Sequence, residues 1–165
     1  MIDLLLTAAL LAPTTTPTTT PPPAPSVSSS ERRIALNRPS RGAYSSAIRE
    51  AATVPPRDRA WAECVLRRES GGVLHNKQSR EDARNSSSSA AGRWQFLAAW
   101  QRGGSFMVRD RLVDFGVPKQ NAKRVRQYLG SIPIYQWDGF WQDILFNEVV
   151  DRGGKHHWNG GNYSC

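Results

Sequence analysis

Long apolar runs are missing from this 165-residue chain. Ile2–Leu11 comes nearest, and it is too short to cross a bilayer. Lysine is scarce, supplying four of the 22 basic residues. Cysteine occurs only twice, at Cys64 and Cys165. Charge is nearly absent from the first 30 residues, where Asp3 stands alone. No clear segment alternates apolar and polar residues with a strand period, and no internal repeat occurs, which argues against a sheet-built or repeat architecture. No basic helix is interleaved with exposed aromatics and no zinc-finger spacing is present, so no nucleic-acid motif is legible. His156 and His157 are adjacent, and adjacent side chains point apart on an extended chain. With no second His/Cys pair at ligand spacing, no metal and no cofactor is expected.

What is present points to one mainly α domain with a modest core, furnished by six Trp and five Phe. Basic residues exceed the 14 acidic ones and leave a net charge of +8. That balance favours a polyanionic partner, whether nucleic acid, membrane surface or anionic cell wall, and charge by itself does not choose among them. Residues 1–12 read as a truncated signal peptide, an apolar stretch without the positive start such signals carry; the other reading is a plain apolar N-terminus. Residues 13–30 are a Pro/Thr/Ser-rich linker that cannot bury enough apolar surface to fold. Beside an export-like N-terminus, two cysteines read as one disulfide, Cys64–Cys165; two unrelated thiols are the alternative.

Residues 31–57 form a basic lead-in with helical character around Tyr44–Thr53, ended by Pro55-Pro56. Asp58 is expected to cap the helix that contains Trp61. Residues 73–89 are polar, aperiodic and end in four serines, so a loop is expected. A helix over Leu97–Arg102 should stop at Gly103-Gly104. Helical spacing returns over Phe106–Phe115 and Pro118–Leu129, with Pro118 at the first helical position. Trp137, Trp141, Ile144, Leu145 and Val149 predict a long amphipathic helix that ends at Gly153-Gly154.

One acid stands out. Trp61, Val65 and Glu69 fall at i, i+4 and i+8, on one helix face. Trp61 and Val65 draw that face inward and carry the Glu69 carboxyl toward the apolar side, and Gly71-Gly72 ends the helix there. Partial drying and the negative carbonyl end of a helix both disfavour a carboxylate anion, which is the condition a general acid requires.

Three segments, in order, resemble the lysozyme-like domain of lytic transglycosylases and resuscitation-promoting factors. They are Glu69-Ser70-Gly71-Gly72, Ala91-Gly92-Arg93-Trp94-Gln95-Phe96 and Trp158-Asn159-Gly160-Gly161. The resemblance implies a lysozyme-like catalytic domain over 58–165 and makes Glu69 its catalytic acid. It implies that Gln95 lines a sugar cleft, that Ser89 holds the cleft-side serine position, and that Asn159 braces the loop facing Glu69. Trp94 or Trp158 would stack on a sugar face. Resuscitation-promoting factors also bridge a cysteine beside the acid to the C-terminal end, as Cys64 and Cys165 would here, although Cys64 lies five residues before the acid rather than next to it. Two further departures stand out. Arg93-Trp94 replaces a small or aliphatic pair, and Trp158 replaces a tyrosine whose hydroxyl would touch the acid. No second carboxylate is placed by a motif: Glu81 and Asp82 fall in the polar loop, and Asp110, Asp138 and Asp143 read as surface charges.

The function so implied is cleavage of the bond between N-acetylmuramic acid and N-acetylglucosamine in peptidoglycan, as a lytic transglycosylase with Glu69 acting alone. Expected partners are glycan strands and the anionic wall, for a monomer that is secreted or phage-associated, with no membrane span and no specific nucleic acid. The alternatives are a hydrolytic muramidase, a non-catalytic wall-binding module and, third, a basic nucleic-acid binder.

Overall fold

Trp141 through Val150 are all buried within one helix, and the rest of the fold is arranged about it. This is α5 (Gly139–Asp151), preceded by α1 (Ser45–Ala51), α2 (Arg59–Ser70), α3 (Trp100–Asp114) and α4 (Lys119–Ser131). Four short 3-10 turns, Pro39–Arg41, Pro56–Asp58, Ile134–Gln136 and Gly154–Trp158, link or extend these helices. The computed structural model describes residues 33–159 and Cys165. The proposed signal peptide (1–12), the linker (13–30) and the glycines of the third motif, Gly160-Gly161, lie outside the described residues. Among the described residues the class is mainly α, with only two isolated antiparallel bridges, Arg84–Ala91 and Ala91–Phe96. No described helix is long and apolar enough to cross a membrane.

A helix buried on every side must satisfy its polar residues internally. In α5 those residues, Gln142, Asp143, Asn147 and Glu148, join it to the surrounding segments. Asn147 Nδ2 donates to the carbonyls of Ala51 (3.0 Å) and Thr53 (3.1 Å), at the end of α1. Arg111 of α3 donates from Nε to the same Ala51 carbonyl (2.9 Å) and pairs through Nη1 with Glu148 and Asp151. Helix C-termini leave carbonyls without partners, and α1 draws its donors from α3 and α5. Trp141 Nε1 reaches the Leu36 carbonyl at 2.9 Å. Residues 33–57 are thus built into the core, with Ile34, Ile48, Ala51, Ala52 and Val54 buried.

Three boundary expectations differ from what is observed. Gly103-Gly104 does not end a helix; α3 runs straight through it. A Cβ on Gly104 would lie 2.8 Å from Leu145 Cδ2, so the glycine is there to let α3 approach α5. Pro118 caps α4 from outside, with ψ 138°, instead of opening its first turn. Asp58 stands at the N-cap of α2, but its carboxylate turns away to Lys155 and Arg57 and makes no capping bond. Lys155, first among the causes, holds its carboxyl below the usual range. Gly71, at φ 68°, ends α2 where expected.

Cys64 on α2 is bonded to Cys165, 101 positions away in sequence, with Cα atoms 5.7 Å apart. Cross-linking so long a loop removes entropy from the unfolded chain. Replacing both cysteines by serine should lower unfolding free energy by about 2–5 kcal/mol in denaturant titrations. Intact-mass analysis of unreduced protein should show the native chain two hydrogen atoms lighter than the reduced one.

Candidate functional site

Ser70, the residue after Glu69, donates through Oγ to the Arg93 carbonyl at 2.8 Å. Arg68, the residue before Glu69, donates through Nη2 to the Trp158 carbonyl. Trp158 Nε1 donates to the Trp94 carbonyl at 3.0 Å. Residues separated by more than twenty and by ninety positions are thereby fastened to one helix end, and Glu69 lies where they meet. The side chain of Glu69 is 25% exposed. Its Oε1 accepts from Arg68 Nε (3.0 Å) and Nη2 (2.7 Å), a pairing the sequence reading did not anticipate. Oε2 takes no hydrogen bond from a described residue.

The Gly92–Phe96 turn is held by a cluster of buried charge. Asp143 is completely buried, which corrects its reading as a surface residue. It accepts from Trp94 Nε1 at 2.7 Å, lies 2.6 Å from Lys77 Nζ and 3.3 Å from Arg93 Nε. The Lys77 and Arg93 contacts are ion pairs without good hydrogen-bond alignment, which leaves Arg93 Nε and Asp143 Oδ2 unsatisfied by direction though not by charge. Burial pushes the Asp143 carboxyl up, and Lys77 and Arg93 oppose that push. Arg93 is itself fully buried and donates from Nη1 to the Asn76 carbonyl and from Nη2 to the Val73 carbonyl, both at 2.9 Å. One guanidinium thus gathers the loop after Glu69. Gln142 completes the clasp: its Oε1 accepts from Arg93 N at 2.8 Å, and its Nε2 reaches the Trp137 carbonyl at 2.8 Å. Gly92, at φ 81°, has no room for a side chain, since a Cβ would fall 2.3 Å from Gln142 Oε1.

The predicted sugar-contacting residues separate into two groups. Trp94 is wholly buried, with its ring stacked 3.6 Å from that of Phe146. It has no face to offer a sugar, and Trp158 is 5% exposed. Both are corrected from stacking platforms to packing residues, because each indole N–H finds a buried acceptor and each ring lies within an aromatic cluster. Gln95 holds φ 53° and donates from Nε2 to the Gly92 carbonyl at 2.9 Å. It lines a cavity of about 100 Å³ with Leu97, Trp100, His157 and Trp158. Across Phe96, which borders both, lies a hollow of about 200 Å³ lined by Arg84, Ser88, Ser89 and Tyr135. Ser89 is exposed, and its Oγ accepts from Ala98 N at 3.4 Å. Asn159 is exposed directly after the Gly154–Trp158 turn. Among the described residues no group of three His, Cys, Asp or Glu is placed to hold a metal ion.

Of the carboxylates considered as a second acid, Glu81 accepts from Gly139 N at 2.8 Å and Asp138 caps α5 by accepting from Phe140 N at 3.0 Å. Burial pushes both carboxyls up. Two larger hollows are one of about 520 Å³ at α3 and α4 and one of about 540 Å³ beside Arg38 and Arg41, and Glu69 lines none of these four cavities. No protein family, curated protein or solved structure matches the chain.

A folded-state acid raised above its ordinary value binds more protons than the unfolded chain, so stability falls as pH rises from that ordinary value through the folded one. For Asp138 the ordinary value is 3.8, and Asp143, Arg93 and Glu81 are charges that face it. Asparagine keeps a cap acceptor for Phe140 N–H without the charge. Melting curves taken from pH 3 upward should therefore show Asp138→Asn gaining on the native chain as pH climbs past 3.8. A constant difference between the two would contradict the assignment.

Proposed function

We propose that the chain is a peptidoglycan glycosidase of the lytic transglycosylase type, with Glu69 as its only catalytic acid. One observation carries the reading. The three sequence segments that resemble the family converge through the Ser70–Arg93, Arg68–Trp158 and Trp158–Trp94 hydrogen bonds on the helix end that bears Glu69.

Cleaving a glycosidic bond requires a proton on the leaving oxygen and relief of the positive charge that develops at the anomeric carbon. Glu69 supplies the proton from Oε2, since Oε1 is occupied by Arg68. The substrate's own N-acetyl group stabilises the anomeric carbon. The carboxylate left behind then takes the proton of the sugar's C6 hydroxyl, whose oxygen bonds to that carbon and closes a 1,6-anhydro ring. The acid is regenerated and no water is consumed. Gln95, on the cavity rim, is the group placed to bind an amide of the sugar. The net charge of +8 draws the protein to an anionic wall, and salt weakens that adsorption.

A second reading, a non-catalytic glycan-binding module, is favoured by the Arg68 contact. Two N–H groups aimed at one oxygen are what an ionised carboxylate accepts, whereas a general acid must hold its proton with Arg68 alongside.

The test is digestion of purified sacculi followed by mass spectrometry of the soluble products. The native chain should release fragments with 1,6-anhydro ends, and reducing ends would indicate a muramidase instead. Glu69→Gln should cut release by roughly 10²–10⁴-fold, the usual worth of a general acid, while pelleting with the wall is unchanged. Wall binding by the native chain with no soluble fragments would replace the enzyme with the binding module.

A further inference from the structure

Arg38 and Arg41 bracket the first 3-10 turn, Pro39–Arg41. Arg38 precedes the turn at φ −147°, and Arg41 is its last residue. Both line the hollow of about 540 Å³. Both arginines are exposed, and neither guanidinium has a partner among the described residues. Most other buried or half-buried cations of the fold are committed. Lys77 pairs with Asp143, Arg111 with Glu148 and Asp151, and Lys155 with Asp58.

The backbone carrying the two arginines is fixed. Pro39 is buried, and Arg49 Nη1 donates to the Ser40 carbonyl at 2.8 Å. A Cβ on Gly42 would lie 2.5 Å from Ala35 N, so the chain turns back tightly just after Arg41. The rest of the lining includes His75, Asn76, Lys77 and Gln78, with His75 Nε2 3.9 Å from Glu63 Oε1. It too is tied down, because Asn76 Oδ1 accepts from Gln78 N at 3.2 Å and the Asn76 carbonyl accepts from buried Arg93. Asp138, also on the lining, has its Oδ1 turned to Phe140 N.

The geometry points to a binding site for a phosphate-class oxyanion, of the kind carried along polyol- or sugar-phosphate polymers, held by Arg38 and Arg41 together with His75, Asn76 and Gln78. Two free guanidinium forks with amide and imidazole donors on the same lining offer more hydrogen bonds than the two oxygens of a carboxylate can use, and a phosphate has the oxygens to accept them. Nucleic acid fits less well. Of the two rings on the lining, Phe140 is only half exposed and has Lys77 Nζ 5.9 Å from its centroid, which leaves His75 as the one open ring and no row of rings for successive bases to stack on. The inference does not rest on the glycosidase reading, since neither Glu69, Gln95 nor Trp158 lines this hollow.

Calorimetric titration of the full chain at low salt tests it, using inorganic phosphate and a short glycerol-phosphate oligomer as separate probes. The double variant Arg38→Ala/Arg41→Ala should bind the oligomer at least roughly tenfold more weakly. The double variant Lys119→Ala/Lys123→Ala, which removes equal charge from α4, should bind within about twofold of the native chain. Circular dichroism checks that each variant is folded, and the single variants Arg38→Gln and Arg41→Gln give the same reading with less perturbation. Binding of inorganic phosphate that is also lost in the arginine variants assigns the site to a lone phosphate, and oligomer binding without it assigns the site to a polymer; either outcome supports an oxyanion site. Equal losses in the arginine and lysine variants, no loss in either, or a DNA oligonucleotide bound as tightly as the glycerol-phosphate oligomer would each overturn it.

Discussion

A single buried carboxylate, Asp143, organises the region around Glu69. It sits in the middle of α5 with no exposure, and three groups from two other segments come to it: Lys77, Arg93 and the Trp94 indole. A buried charge must be paired, and removing one partner of such a pair costs on the order of 3–5 kcal/mol, because the other is left stranded. The residues between α2 and α3 have no helix of their own and little apolar periodicity, yet their path is defined by this requirement. Arg93 cannot lose its charge under any ordinary condition, so it must reach Asp143, and in reaching it the rest of its guanidinium collects the Val73 and Asn76 carbonyls. The loop follows from the ion pair.

That arrangement also fixes the Arg93-Trp94 pair. A small or aliphatic pair before Gln95 would leave Asp143 without Arg93 and without the Trp94 N–H. The large pair points inward and the carboxylate answers it, so the pair and its counter-charge lie in the same layer of the core. The outward residue of the turn is Gln95, pushed to positive φ by the two inward neighbours and steadied by its own bond to the Gly92 carbonyl.

Much of the helical plan was legible. Glycine after Glu69, proline before α4 and the tryptophan spacing of α5 all marked elements that exist, because they act through local backbone geometry. What was not legible depends on partners distant in sequence. Gly103-Gly104 carries the signature of a helix end, and only the approach of Leu145 explains its place inside α3. Asp58 looks like a cap, but a lysine 97 residues away takes its carboxylate. Asp143 reads as a surface charge, and the cations that pair with it, Lys77 and Arg93, stand far from it in sequence. In the candidate site, the order of the three segments could be read, as could the role of Gly71. The Arg68 contact could have been suspected from its adjacency to Glu69, since a neighbouring residue at a helix end can fold back along the axis. The burial of Trp94 and Trp158 follows from ring-on-ring packing that composition does not reveal.

The rings behind Glu69 form an unbroken chain, from Trp61 to Phe146, from Phe146 to Trp94 and Trp158, and from Trp158 through Phe96 to Trp100. Flat, two-torsion side chains packed face to face and edge to face resist compression and have few other rotamers to visit. The floor of the region is therefore stiff. Above it lies a thin polar layer, in which Arg68 is tied to the Trp158 carbonyl and to Glu69, and Gln95 to the Gly92 carbonyl. Movement on this surface is left to side chains that must first release a hydrogen bond, with the rings beneath them at rest.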